Sequence, residues 1–264
     1  MAVPENYSPP ADLACGRLIA CDALVGAPAV PPADYIPDVA DLEIELARLQ
    51  ISAAVVRHRA CLQVAAHLGN AVLNGEIAGK PHLWPAWFMT PDGREPQFDP
   101  AVALGEMLAA GGRVAWTHPT PDTFSLQPWC CGQLYEALSE HRVPLLVEYG
   151  AAYLQDLHEA MAAFPQLRVV LLQVPRVGRN RLVEPLLQLH PQLHLCFAPT
   201  FSVHGYWPDL CRRYGPYRWL WGSHYPDAEG GAAVTGLMYA GLAPDDLALI
   251  AHGNLERLIA EVIV

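Results

Sequence analysis

Pro144-Leu145-Leu146-Val147-Glu148-Tyr149 is a short apolar run that ends on a carboxylate and an aromatic residue, with Gly150 after it. Behind it, Ala152 to Phe164 carries Leu154, Leu157, Met161 and Phe164 at helical spacing, and Arg168 to Val174 is a second apolar run. Strand, helix and strand in that order form a βαβ unit, which predicts parallel strands. The rhythm extends in both directions. Upstream, Ile19 to Val25, Ala53 to Arg57, His82 to Thr90 and Arg113 to His118 read as strands. Asp41 to Gln50, Leu62 to Ile77, Pro100 to Ala110 and Cys131 to Glu140 read as helices, the third stopped by Gly111-Gly112. Downstream, Leu193 to Ala198 and Arg218 to His224 read as strands, with helices near Arg181 to Leu189 and Tyr206 to Tyr214 and two more helical segments after Asp245. Eight such units in 264 residues predict an α/β fold, a single (β/α)8 TIM barrel over residues 1–264 with an N-terminal extension at 1–16. An open doubly wound sheet is the alternative. It calls for a Gly-rich phosphate turn after the first strand, where this chain has Gly26-Ala27-Pro28-Ala29-Val30-Pro31-Pro32.

Composition narrows the function. The chain is 52% hydrophobic and carries net charge −11, with Lys80 as its one lysine. Arg57-His58-Arg59 and Arg212-Arg213 are its densest basic clusters, too short to follow a phosphate backbone, so no nucleic-acid partner is expected. No apolar stretch is long enough to span a bilayer, and the polar, Pro-rich Met1 to Asp12 does not read as a signal peptide. The seven cysteines include no Cys-x-x-Cys pair and read as reduced thiols in a cytoplasmic protein.

In a barrel of this kind, chemistry sits at the C-terminal ends of the strands. That rule selects Asp22, Arg57-His58-Arg59, Trp87-Phe88-Met89, Trp116-Thr117-His118, Glu148, Gln173 to Arg176, the neighbourhood of Thr200, and His224. Any one of these is more often a satisfied polar residue than a catalyst. Together they are informative, because apolar strands have no structural need for so many polar residues at one end.

These ends, and the segments around them, resemble the amidohydrolase superfamily, in particular the amidohydrolase-2 group with its aminocarboxymuconate-semialdehyde decarboxylase and 2-pyrone-4,6-dicarboxylate lactonase. Pro144 to Gly150 is similar to the group's Pro-x-x-x-His-x-Gly strand, and Phe164-Pro165-Gln166-Leu167 through Gln173 to its sixth-strand pattern. Trp221-Gly222-Ser223-His224-Tyr225-Pro226 is similar to its Gly-Ser-Asp-x-Pro signature, and His252-Gly253-Asn254 through Leu258 to its closing helix. Arg113 to Leu126, with His118-Pro119, resembles the strand-four segment of some members. The resemblance implies an amidohydrolase-type barrel, yet all five metal-ligand positions differ. The His-x-His motif falls on Asp22-Ala23-Leu24, the two later histidines on Glu148 and Gln173, and the strand-eight Asp on His224. Leu24 cannot ligate and Gln173 is a poor ligand, so neither metal nor another cofactor is expected.

The replacements form a pattern. Strands one and eight are neighbours in a closed barrel, and the family's His and Asp are exchanged there. Asp22 and His224 are therefore expected within hydrogen-bond reach as an acid/base pair, with Glu148 and His118 assisting. Arg57, Arg59 and Arg176 are candidates for holding a substrate carboxylate, Gln173 for donating to a carbonyl or carboxylate, and Trp87, Trp116 and Trp129 for walling an apolar pocket. The expected function is metal-independent acid/base chemistry on a small, carboxylated or aromatic-like molecule: hydrolysis, decarboxylation, or a related lyase, cyclisation or isomerisation step. Two alternatives stay open. One is an inactive barrel that binds a ligand or partner; the other is a hydrolase with a metal site rebuilt from Asp22, Glu148 and His224, with or without His118. The partner expected is a small-molecule substrate, with a homo-oligomer left open.

Overall fold

The structure, a computed structural model, describes residues 15–30, 37–91, 99–119, 123–175, 181–197 and 206–264. In chain order the elements are β1 (Leu18–Val25), α1 (Val39–Arg48), β2 (Ile51–His58), α2 (Ala60–Gln63), α3 (Ala66–Glu76), β3 (Leu83–Phe88), α4 (Pro100–Ala109), β4 (Val114–Thr117), α5 (Pro128–Glu140), β5 (Leu145–Glu148), α6 (Leu154–Ala163), β6 (Val169–Val174), α7 (Val183–Leu189), β7 (Leu193–Phe197), α8 (Tyr206–Tyr214), β8 (Trp219–Leu220), α9 (Gly230–Met238), α10 (Pro244–Ala248), a π-helical turn at Leu249–Gly253, and α11 (Asn254–Ala260). The eight strands pair in sequence order, each parallel to the next. Cys21 N donates to Trp221 O at 3.0 Å and Leu24 N to Tyr225 O at 2.9 Å, so the chain after β8 hydrogen-bonds back onto β1 and brings the sheet round on itself. The fold is the (β/α)8 barrel that the alternation predicts.

Side chains on a strand alternate between two faces. Here Ile19, Cys21, Val55, Phe88, Trp116, Leu146, Leu172, Cys196 and Leu220 pack together as one cluster inside the barrel. Their neighbours Ala20, Ala54, Val56, Trp87, Ala115, Val147, Leu171 and Leu195 join the larger cluster between barrel and helices. One step further along the inward face come Arg57 after Val55, His118 after Trp116, and Glu148 after Leu146. The strand period therefore delivers these three side chains to one mouth.

The structure departs from the sequence reading at three places. The helix expected over Leu62 to Ile77 is two helices, α2 and α3, which meet so closely that a Cβ on Gly69 would lie 2.5 Å from the Cys61 backbone. The helix α9 was hidden by its glycines, Gly230, Gly231 and Gly236; Glu229 caps it by accepting from Ala232 N at 3.2 Å. The eighth strand is only Trp219–Leu220, because the chain then turns toward β1 and His224 adopts φ 57°.

Candidate active site

Asp22 is fully buried on β1, beside a register shift between Ala20 and Ala23. Its Oδ1 accepts the His224 backbone N–H at 3.1 Å, and its Oδ2 lies 2.5 Å from His224 Nδ1. The contact is a buried ion pair when the ring is protonated. Gly222 makes the approach feasible, since a Cβ there would stand 2.3 Å from Asp22 Oδ1. On the far side of the ring, His224 Nε2 faces the Phe197 carbonyl oxygen at 2.7 Å. Both ring nitrogens thus meet acceptors, an arrangement that suits the imidazolium. Burial opposes that charge, but Asp22 and the Phe197 carbonyl outweigh it and hold His224 above the ordinary histidine value. For Asp22 burial acts upward, and His224 and Arg57 together bring the carboxyl below its usual range. The His224 side chain is 2% exposed, and neither of its nitrogens is open to a ligand.

The accessible groups lie across the mouth. A cavity of about 380 Å³ is lined by His118, Pro119, Glu148, Gly150, Ala151, Ala152 and Tyr153. Glu148 Oε2 is 3.4 Å from His118 Nδ1, and Glu148 Oε1 accepts from Arg57 Nη1. Burial pushes the Glu148 carboxyl up, yet His118 and Arg57 prevail and bring it down to about 2. His118 Nδ1 is fully buried whereas a quarter of the side chain is exposed, so the open edge of the ring is the other one.

Arg57 joins the two halves. It is 1% exposed, donates from Nη2 to the Asp22 carbonyl oxygen at 3.1 Å, and holds its guanidinium carbon 5.4 Å from the centre of the Trp116 ring. The resulting line is His224, Asp22, Arg57, Glu148, His118, and it crosses the barrel from β8 and β1 to the end of β4.

The other predicted site residues are placed differently. Arg59 donates to Asp227 Oδ1 at 2.8 Å and to the Gly26 carbonyl oxygen at 3.2 Å, so its guanidinium ties two loops together. Trp87 does not wall the pocket. It points outward from β3 into the layer beneath the helices, because Phe88 takes the inward position and adjacent residues must oppose. Trp116 faces inward but is 1% exposed, packed on Phe88 at 4.6 Å between ring centres and lying under Arg57. Trp129 is exposed on α5, where Nε1 donates to Gln127 Oε1 at 2.9 Å. Gln173 stands at the end of β6 with φ 56°, like His224 a non-glycine residue in the left-handed region. Arg176 and Thr200 lie outside the described residues. Sequence reasoning missed Cys196, whose Sγ lies within 4.8 Å of the ligand atoms of Asp22 and His224. It also missed the loop Gly150–Tyr153. Strict alternation along Leu195-Cys196-Phe197 points to Cys196; nothing in the sequence singles out the loop.

Whether a divalent metal fits can be judged from the donor set. Asp22, Cys196 and His224 come close enough together to be considered as ligands. Metal ligands must be deprotonated. Cys196, however, hydrogen-bonds Cys21 and is fully buried, which pushes its thiol well up, and His224 is held toward the imidazolium. Glu148 is already engaged by a guanidinium, and Leu24 is apolar. As arranged, Asp22 and His224 are engaged with each other and Glu148 with Arg57 and His118, so these donors already have partners within the protein.

No protein-family model matches the sequence, and no curated protein sequence matches it. Solved structures do match in fold. A 5-carboxyvanillate decarboxylase from Novosphingobium aromaticivorans, with bound manganese and 3-methoxy-4-hydroxy-5-nitrobenzoic acid, aligns at TM-score 0.74 and 11% identity over 92% of this chain and 97% of that one. The 2,6-dihydroxybenzoate decarboxylase from Rhizobium aligns at TM-score 0.68 and 15% identity over 92% and 98%. A probable 2-pyrone-4,6-dicarboxylic acid hydrolase from Acinetobacter baumannii, with citric acid bound, aligns at TM-score 0.66 and 14% identity over 92% and 99%. At these identities the likeness is one of fold. The chain has the (β/α)8 barrel found in these decarboxylases and this hydrolase, which agrees with the amidohydrolase-2 resemblance of its strand ends. Among the described residues, no helix is long and apolar enough to cross a membrane.

Proposed function

We propose that this chain is an enzyme that moves a proton on a small, carboxylated or aromatic-like organic molecule bound at the barrel mouth, without a metal ion. The observation that carries the proposal is the His118–Glu148 pair at the wall of the cavity. A carboxylate on Nδ1 fixes the tautomer of the neutral imidazole, leaving Nε2 with its lone pair as the base. With Glu148 low enough to stay ionised at neutral pH, His118 can accept a proton at Nε2 and return it, while the charge that develops on the ring is stabilised by Glu148. In a hydrolysis the proton comes from the attacking water and goes to the leaving oxygen or nitrogen. In a decarboxylation the protonated ring supplies the carbon that loses its carboxylate. The 3.4 Å spacing is loose for a hydrogen bond, as pairs in ligand-free sites often are. In this reading Asp22 and His224 support the site electrostatically, and the proton-transfer role passes to His118. The fold shared with two decarboxylases and a hydrolase of cyclic acids supports the substrate class.

The test begins with thermal shifts against small aromatic carboxylic acids and lactones, followed by product analysis for the compounds that stabilise the protein. With a turnover assay established, His118→Asn should lower kcat/KM by about 10²–10⁴-fold. Wild-type turnover by that variant would remove His118 from the mechanism.

A further inference from the structure

We infer that Arg57 is the fixed cation of this site: its guanidinium, sealed between β1 and β5, is the charge that permits two carboxylates at one barrel mouth and that turns Glu148 toward His118. The inference rests on the proposed function only for the use made of Glu148; the charge role stands on geometry alone. Arg57 is one of the largest fully buried side chains among the described residues. A buried guanidinium is costly unless its charge is matched and its N–H groups are used. Its charge is matched by Glu148 through Nη1, and Nη2 anchors it to the Asp22 carbonyl oxygen, while the buried Nε has no hydrogen-bond partner among the described residues. The face of Trp116 closes one side of the plane. Arginine suits this place better than lysine, because a planar fork can reach two strands at once, although lysine would still supply the charge.

The charges then alternate along the line. The Asp22 carboxylate pairs with the His224 ring while its backbone carbonyl holds Arg57, and Glu148 lies between Arg57 and His118. Deleting Arg57 takes from Glu148 its buried cation and leaves Asp22 with His224 as its one close counter-charge among the described residues, in a region of low dielectric. A divalent ion brought to the same carboxylates would meet a guanidinium already hydrogen-bonded to one of them, and like charges at that range repel strongly. Arg57 thereby accounts both for the acidity of the mouth and for its poor fit to a metal. Its role is that of a positioning residue, acting through Glu148.

The test compares variants by thermal and urea unfolding at neutral pH. Arg57→Met keeps the bulk beneath Trp116 but removes the charge, and its Tm should fall by about 6–15 °C, as expected for a broken buried ion pair in a chain of this size. Arg57→Met/Glu148→Gln removes one carboxylate as well and should regain at least half of that loss. Arg57→Lys keeps the charge and should lie nearer the wild type than Arg57→Met does. A double variant no more stable than Arg57→Met would overturn the inference, since Arg57 would then act by packing. A Lys variant as unstable as the Met variant would overturn it too. Should Arg57→Met fail to fold, a folded double variant supports the inference and an unfolded one contradicts it. None of these results depends on turnover, so the proposed reaction and this inference can fail separately.

Discussion

His224 turns one ring nitrogen toward Asp22 and the other toward the Phe197 carbonyl, at 2.5 and 2.7 Å. With both nitrogens engaged and the side chain buried, the ring is locked in place and its protonated form is favoured. The imidazole at the cavity wall is His118, across the mouth.

The first prediction concerns stability and pH. Asp22 and Glu148 titrate below their ordinary values in the folded chain, so their contributions are full above the ordinary carboxylate pKa, 3.8 and 4.5, and fade as pH falls. For Glu148 the loss runs down to about 2. His224 titrates above its ordinary 6.5, so its contribution is full below that value and is lost as pH rises through the folded one. Stability from these groups should be greatest between about pH 5 and 6.5 and decline on both sides. Urea midpoints measured across pH 3–9 check this. His224→Gln should flatten the alkaline decline.

Breaking the buried pair should be expensive. Asp22→Asn leaves an imidazolium without its counter-charge, and the expected loss is about 3–5 kcal/mol in urea unfolding. A loss under about 1 kcal/mol would mean that the pair is not closed as described.

Gly222→Ala should destabilise by about 1–3 kcal/mol, because its Cβ would stand 2.3 Å from Asp22 Oδ1 and the carboxylate cannot retreat without leaving His224. A neutral result in the same unfolding assay would show that Asp22 has room to move.

A fourth prediction is metal content. Protein purified without chelator should hold less than about 0.1 equivalent of Mn, Fe or Zn by elemental analysis, and millimolar Mn²⁺ should leave its Tm in place, since the donors are already paired within the protein. Close to one equivalent per chain would restore the rebuilt metal site as the better reading.

Much of this was legible in the chain. Apolar runs alternating with helical patterns give the eight strands, and the adjacency of strands one and eight in a closed barrel brings Asp22 to His224. The remainder depends on matters that spacing does not carry. Which way a strand-end residue points follows from register: a shift of one residue separates Trp87, under the helices, from Phe88, in the barrel. Arg57 and Arg59 look equivalent in sequence, yet one is the inner charge and the other a tie between loops. The seal on His224 is a backbone carbonyl of β7, which no residue pattern announces. Helix α9 was obscured because glycine weakens a helix in isolation, while burial of Ala233 and Leu237 stabilises this one.

The division of labour between His118 and His224 is tested most directly by ¹H–¹⁵N NMR of the imidazole nitrogens, assigned with His118→Asn and His224→Gln. His224 should hold two protonated nitrogens to a higher pH than exposed histidines do. Neutral His118 should carry its proton on Nδ1, with Nε2 unprotonated. A His224 that loses a ring proton in the same range as the exposed histidines, together with a neutral His118 protonated on Nε2, would contradict the account and return the proton-transfer role to the Asp22–His224 pair.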